Sequence, residues 1–495
     1  MAIAAHGRIV VDLNSETPDM PVSMLPPQWL RRTLIPVVPL VLLASCQSYE
    51  PAPLNITQYE HALGLRVIEI EPIEAFSRRL AADDDDVPTA FDLSDGISYA
   101  EGEVIALFYN PDLRIARLEA GVAMANRDTA GLWEDPVFGF DGAEIVSPSS
   151  PFEFGLMGSL TIPISGRLEI EKVRASAAYE TQLRTLVDAE WRTRAALRTA
   201  WTRWTAIAEQ ATLFLSMTHE LERINVIATH LEFAGELNRI ERRLLLIELA
   251  DIQLRSTEID LELINAETNL IEILGVTPHA AAQLVPAFPD VSIPAVTDTT
   301  ARLIASNTEL AVHFAAYQTA EETLRLEIRK QFPDIVIGSG YGTEFNDHRV
   351  MFGLSIPIPI LNANRAAIAE ARANREVVRA KAETTFSRLN RSLIAAQAAL
   401  HTNQAQRDQY EQLIVPMLDE QSRDIDRIAE LGELDVFVLL QTVTRTLKIK
   451  QKLIALRVDE IEAATTLRRI LGPDNAPNPT PIENHAGDLV AGGNQ

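Results

Sequence analysis

"LSIPIPILNANR", Leu354 to Arg365, alternates like a β-strand, carries two prolines, and hands over at once to an alanine-rich helical run. "LTIPISGR", Leu160 to Arg167, makes the same transition with one proline. A proline cannot donate to a strand ladder, so Pro163, Pro357 and Pro359 mark where pairing stops. Asn362 or Asn364 is expected to cap the helix that starts near Arg365, and Ser165 to cap its counterpart.

The two joins belong to a unit written twice. Asn110-Pro111-Asp112-Leu113 opens a helical run and so does Asn307-Thr308-Glu309-Leu310. Gly235-Glu236-Leu237 recurs as Gly432-Glu433-Leu434, and Leu274-Gly275 as Leu471-Gly472. All three pairs are offset by 197 residues, as from Asn110 to Asn307. A fixed period marks an internal repeat. Each copy reads helix, strand, strand, long helix, long helix. The first has a helix over 101–132, strands over 136–146 and 152–164 around "SPSSP", and a helix over 167–229. The second has a helix over 299–331, strands over 333–344 and 350–360 around "FNDHR", and a helix over 365–428, which Pro416 should kink. A helix of about 60 residues is roughly 90 Å long, beyond any ordinary globular core.

The strands alternate strictly. Phe152, Phe154, Leu156, Leu160 and Ile162 share one face, with Glu153, Gly155, Ser159 and Thr161 opposite. Phe138 and Phe140 oppose Gly139 and Asp141, and Val350, Phe352, Leu354, Ile356 and Ile358 oppose Gly353 and Ser355. Strands of about ten residues with one greasy and one small or polar face fit a transmembrane β-barrel. Four strands cannot close a barrel, and an open sheet in lipid leaves backbone groups unpaired. The chain therefore supplies a fraction of a barrel, and copies of itself supply the rest. On the helices, Ile240, Ile247, Leu254 and Leu261 recur every seven residues, with Ile264 and Ile271 beside them; Leu447, Ile454 and Ile461 do the same. That spacing predicts coiled-coil packing.

The chain has 495 residues, a formal net charge of −25 and one cysteine. The acidic balance argues against a nucleic-acid partner. One cysteine excludes an internal disulfide. Arg31 and Arg32 precede the short apolar run Leu34 to Leu43, and Leu43-Ala44-Ser45-Cys46 then resembles a bacterial lipobox. In such signals the cysteine becomes the first mature residue and carries lipid, palmitate included. Gln47 follows it, which gives an outer-membrane address. Residues 1–45 read as a signal peptide, with Met24 a more conventional start than Met1. Residues 46–100 form an N-terminal periplasmic segment with the acidic run Asp83 to Asp86, 101–275 the first repeat, 276–298 a linker, 299–472 the second repeat, and 473–495 a disordered tail. The scattered histidines, His313 among them, show no metal-ligand spacing. No phosphate loop, nucleophile elbow or triad appears. No enzyme, cofactor or metal site is expected.

With its lipobox, doubled unit, "IPISGR" and "IPIPILNANR" joins and "GEL" tips, the chain resembles the TolC-like outer-membrane factors. The double Ile-Pro join is most similar to heavy-metal efflux members. The resemblance implies a mainly α protein with transmembrane β: a homotrimer, a twelve-stranded β-barrel and a long periplasmic α-helical barrel. It implies a channel of a tripartite efflux system, with a periplasmic adaptor and an inner-membrane pump, commonly of the resistance–nodulation–division type. The implied cargo is metal ions, with drug efflux or type I protein secretion as alternatives. A periplasmic coiled-coil adaptor or scaffold lipoprotein is a further alternative, against which the four strands speak. The adaptor would meet hairpin tips at Gly235 and Gly432, and the narrowest aperture would be lined by Asp435 in "GELDVF". Val438 falls near a second position that is acidic in some relatives. Arg423, Asp424, Asp426 and Arg427 are candidate gate pairs.

Overall fold

A computed structural model describes residues 49–64, 68–80, 88, 90–144, 152–278, 284–291, 293, 298–344, 347–430 and 435–473. The signal segment with Cys46, the run Asp83 to Asp86, the "SPSSP" turn, Phe345 and Asn346, Gly432 and the tail from 474 lie outside the described residues. The chain divides into two compact units, Ala2–Val67 and Ile68–Gln495. The described part of the first holds one short helix, α1 (Ile56–Gly64).

The second unit opens with α2 (Ile70–Leu80), α3 (Tyr99–Tyr109) and α4 (Pro111–Asp128), then β1 (Val137–Ala143) and β2 (Glu153–Ile162). Two long helices follow, α5 (Arg167–Ala234) and α6 (Arg239–Leu274). The same order returns as α7 (Thr299–Ser306), α8 (Thr308–Arg329), β3 (Ile335–Glu344), β4 (Asp347–Ser355) and α9 (Arg365–Gln409). A π turn (Tyr410–Ile414) joins α9 to α10 (Val415–Glu430), and α11 (Val436–Leu471) closes the order. At 1.5 Å per residue, the 68 residues of α5 extend about 100 Å.

The helical runs expected over 101–132 and 299–331 are each two helices. Asn110 and Asn307 divide them by ending one helix and capping the next. The Asn110 carboxamide accepts from the amides of Asp112 and Leu113, and its Nδ2 donates to the Ile273 carbonyl at 2.9 Å. Asn307 accepts from the Leu310 amide and donates to the Ile470 carbonyl at 3.0 Å. Each asparagine thus ties the start of its unit to the last turn of the returning helix. Gly275 and Gly472 lie at positive φ on the carbonyls of Tyr109 and Ser306, where a Cβ would collide with backbone. Among the described residues, three apolar cores hold the helices. One centres on fully buried Trp201, one joins α5 and α6 to α11 through Leu221, Leu245 and Leu447, and one joins α7, α8, α9 and α11 through Leu303, Leu310 and Leu471.

A π turn directly precedes Val415 and Pro416 in the second long helix. The Val415 amide donates five residues back, to the Tyr410 carbonyl. Proline has no N–H, and its ring crowds the carbonyl four residues before it. One wide turn relieves that crowding while the helix continues.

The sheet order is β1-β2-β3-β4, antiparallel throughout. Its register sorts the faces as alternation requires. Phe140, Leu156, Tyr341 and Val350 form one cross-strand row; Phe138, Gly158, Ser339 and Phe352 form the next; Leu160, Ile337 and Leu354 form the third. Rows on the other face include Val137, Ser159, Gly338 and Gly353, and Asp141, Gly155, Gly342 and Arg349. Phe352 is 83% exposed on the apolar face. The fourth strand is shorter than the expected 350–360: it ends at Ser355, because Pro357 and Pro359 cannot extend the ladder.

The heptads divide differently from the expectation. Leu447 and Ile461 are buried. Ile240, Ile247, Leu254, Leu261 and Ile264 all face outward, while α6 packs through Leu245, Leu249, Ile252 and Ile259.

Candidate functional site

Two regions carry the sequence-level candidates: the helix-hairpin tips and the strand-to-helix joins. At the first tip α5 ends on Gly235, at φ 78°, with the Glu236 amide returning to the Leu231 carbonyl. Glycine takes that conformation at no steric cost. Asn238 starts α6 with a capping box: its side chain accepts from the amides of Ile240 and Glu241, and the Glu241 carboxylate accepts from the Asn238 amide. Arg242 holds Glu232 across the tip at 2.6 Å.

At the second tip Asp435 is the N-cap of α11. Its Oδ1 accepts from Phe437 N at 2.9 Å and Val438 N at 3.2 Å, and the side chain stays exposed. Phe437 and Val438 are exposed beside it. Arg427 approaches Asp424 at 3.6 Å within its own helix, with both side chains mostly in solvent. Arg423 donates to the Asp419 carbonyl. Neither arginine is brought to Asp435 by these bonds, and the side chain of Asp426 lies outside the described residues. Exposed pairs of this kind contribute little to stability.

The joins differ from each other. In the first, Gly166 stands at the N-cap position with φ 69°. Ser165 lies one residue earlier, where its hydroxyl accepts from the Arg167 amide at 3.3 Å and bonds Asp334 at 3.2 Å. Arg167 reaches Asp334 at 2.7 Å and Glu134 at 2.8 Å. The start of α5 is thereby tied to the segments that enter β1 and β3, and Pro163 directly follows β2.

In the second join Asn364 occupies the N-cap position but makes no capping bond, and the Arg365 amide donates instead to the Asn362 main-chain carbonyl. Ala363 and Asn364 both adopt positive φ, 46° and 52°. That conformation turns the Asn364 amide onto Glu327, where it donates to the main-chain carbonyl at 2.9 Å and to Oε2 at 2.8 Å. Burial raises the Glu327 pKa, but hydrogen bonds from Lys330 and Asn364 outweigh it and hold the carboxyl below its ordinary range. The asparagine is a clamp rather than a cap, a role the sequence gives no sign of. Neither the paired bonds of Asn110 and Asn307 nor this clamp is visible as spacing.

Among the described residues no group of three or more His, Cys, Asp or Glu is placed to hold a metal ion. Among them also, no helix is long and apolar enough to cross a membrane. A cleft of about 880 Å³ opens between α5, α6 and α11 over Arg192, Arg203 and Arg469. Arg192 is paired with Asp188, and Arg203 with Glu462. Nothing in it resembles a catalytic constellation.

No family model matches the chain. A stretch of 151 residues, 30% of the chain, is 25% identical to the cobalt-zinc-cadmium resistance protein CzcC of Cupriavidus metallidurans and spans 36% of that protein's length. Among solved structures, the outer-membrane channel OprN superposes with a TM-score of 0.68 at 16% identity, over 77% of this chain and 91% of that one. CusC, described in terms of transmembrane channel formation, superposes with a TM-score of 0.65 at 17% identity, over 76% and 92%. The open state of the MtrE outer-membrane channel of Neisseria gonorrhoeae gives 0.63 at 16% identity, over 76% and 88%. The chain has the fold of the TolC-like outer-membrane channels.

Proposed function

We propose that this protein is the outer-membrane channel of a tripartite efflux system, conducting what an inner-membrane pump and a periplasmic adaptor deliver. The observation that carries the reading is the four-stranded sheet with an exposed apolar face and two open edges, built onto helices of up to 68 residues. Such a sheet is stable in lipid only when closed. Three copies give twelve strands, and antiparallel β1 and β4 are free to pair between copies. The outward stripe Ile240, Ile247, Leu254 and Leu261 of α6, with exposed Leu413, Met417 and Ile428 along the π turn and α10, supplies apolar surface for the same assembly.

The two halves of the chain are then one duplicated unit, each contributing two strands and one long hairpin. Cys46 carries the lipid anchor, and Gly235 and Gly432 mark the tips that meet the adaptor. Asp435, three copies around the axis, favours cations at the narrow end. The work is conduction and gating, without catalysis. The likeness to CzcC favours metal ions as cargo.

The reading is tested by isolating outer membranes. A trimer that separates only on heating, and ion conductance when it is added to planar bilayers, are expected. A soluble monomer in the periplasmic fraction overturns it. Loss of the gene should sensitise cells to divalent metal salts; sensitivity to organic compounds alone moves the cargo to drugs.

A further inference from the structure

The two joins sit differently in the sheet, and their chemistry differs accordingly. The first lies where β2 meets β3, inside the sheet, and the protomer closes it with its own polar groups: Ser165, Arg167, Asp334 and Glu134. The second follows β4, at the sheet edge. Past Ser355 the chain exposes Ile356, Ile358, Ile360 and Leu361, with Ile358 75% and Leu361 94% exposed. No charged residue occurs from Gly353 to Ala363.

This apolar segment is held in place. Ser355 is paired in the ladder with Val336. The Ile360 amide donates to the Ile358 carbonyl at 2.9 Å, making a tight turn about Pro359. Asn364 anchors the far end on Glu327. The segment's shape is thus set before anything covers it, which lowers the ordering cost of a contact.

The sheet fixes what lies opposite. Val137 pairs with Ser159, Ile162 with Ile335, and Val336 with Ser355, so the start of β1 and the end of β4 lie on one rim. Just before β1 stand Leu132 and Trp133, both exposed, in the uncharged run Thr129 to Trp133. The next charge, Glu134, is engaged by Arg167. When β4 of one copy pairs with β1 of the next, the two uncharged apolar segments arrive side by side.

We infer that the Ile356–Leu361 segment is a docking surface for a second copy of this chain, receiving that copy's Leu132 and Trp133. The contact locks the barrel to the helices at each subunit boundary, as Arg167 does inside each subunit. This inference rests on the closed-trimer reading above.

The full-length protein with Trp133→Cys and Ile358→Cys together is treated in outer membranes with a short bismaleimide. Dimer and trimer bands that survive boiling are expected. Each single variant, which keeps Cys46, should give none. A heat-separable trimer without cross-links overturns the docking surface and leaves the closed trimer standing; absence of any trimer overturns both. As a second measure, Ile358→Ser with Ile360→Ser should lower the temperature at which the trimer separates. An unchanged temperature, with a spin label at position 358 relaxed by oxygen as a lipid-facing probe is, overturns the contact in favour of the membrane.

Discussion

Arg407 of α9 and Glu460 of α11 form an ion pair, Nη1 to Oε2 at 2.8 Å, just before the π turn, with the carboxylate side chain 3% exposed. Gln404 donates to the other oxygen at 3.2 Å. Glu460→Ala leaves the guanidinium facing a buried gap and is expected to destabilise the protein by about 2 kcal/mol. That is less than for a fully buried pair, because Arg407 keeps partial access to solvent. Replacing both residues with leucine should recover most of the loss, as a double-mutant cycle of thermal transitions will read.

The π turn predicts its own removal. Pro416→Ala restores an amide donor and takes away the ring that displaces the helix ladder. Hydrogen exchange of the amides from Tyr410 to Glu420 should slow, with a gain on the order of 1 kcal/mol. Unchanged exchange would mean that packing, not proline, sets the turn.

Ala363 holds a φ of 46° without being glycine. An alanine in the left-handed region carries about 1 kcal/mol or more of strain, which exceeds the chain entropy that glycine adds. Ala363→Gly should therefore raise the melting temperature. Asn364→Ala should lower it, since both bonds to Glu327 go. The Glu327 carboxyl then loses a donor that keeps its pKa down, so the part of the stability that disappears as pH falls through that folded value shrinks.

Asp435 serves as cap and as charge, and two substitutions separate the roles. Asparagine caps as well as aspartate. Asp435→Asn should leave stability unchanged and reduce cation preference or divalent block in a planar bilayer. Asp435→Ala should do the same to the current and also cost about 1 kcal/mol of helix stability. Equal currents for wild type and Asp435→Asn overturn the proposed aperture role of the aspartate.

His313 of α8 lies 3.1 Å from the Thr385 hydroxyl of α9. Burial lowers its pKa; Glu309 and Asp188 push upward, Lys381 and Arg388 downward, and the balance is below the ordinary value. The unfolded chain takes up the proton first, at about pH 6.5. The contribution of neutral His313 is therefore complete above that pH and falls away as pH drops toward the folded pKa. His313→Gln should flatten the pH dependence of unfolding in that window.

Period and punctuation carried much of the architecture into the sequence. Alternation at Phe152 to Ile162 placed a two-faced strand, uninterrupted helical composition placed the long helices, and prolines placed the strand ends. These are local properties, set by backbone geometry and side-chain volume within a few residues. Other features needed distant residues. Only the packed chain brings Asn110 to Ile273, turns Asn364 onto Glu327 instead of its own helix, and selects Leu245 over Ile247 as the buried side of α6. A heptad shows which residues share a stripe, but not whether that stripe meets its own chain or stays outward. The tertiary structure decides this, because burial depends on which helices stand beside it. The same holds for the joins. The sequence shows two prolines in one and one proline in the other; only the sheet order shows that one join lies within the protomer's sheet and the other at its edge.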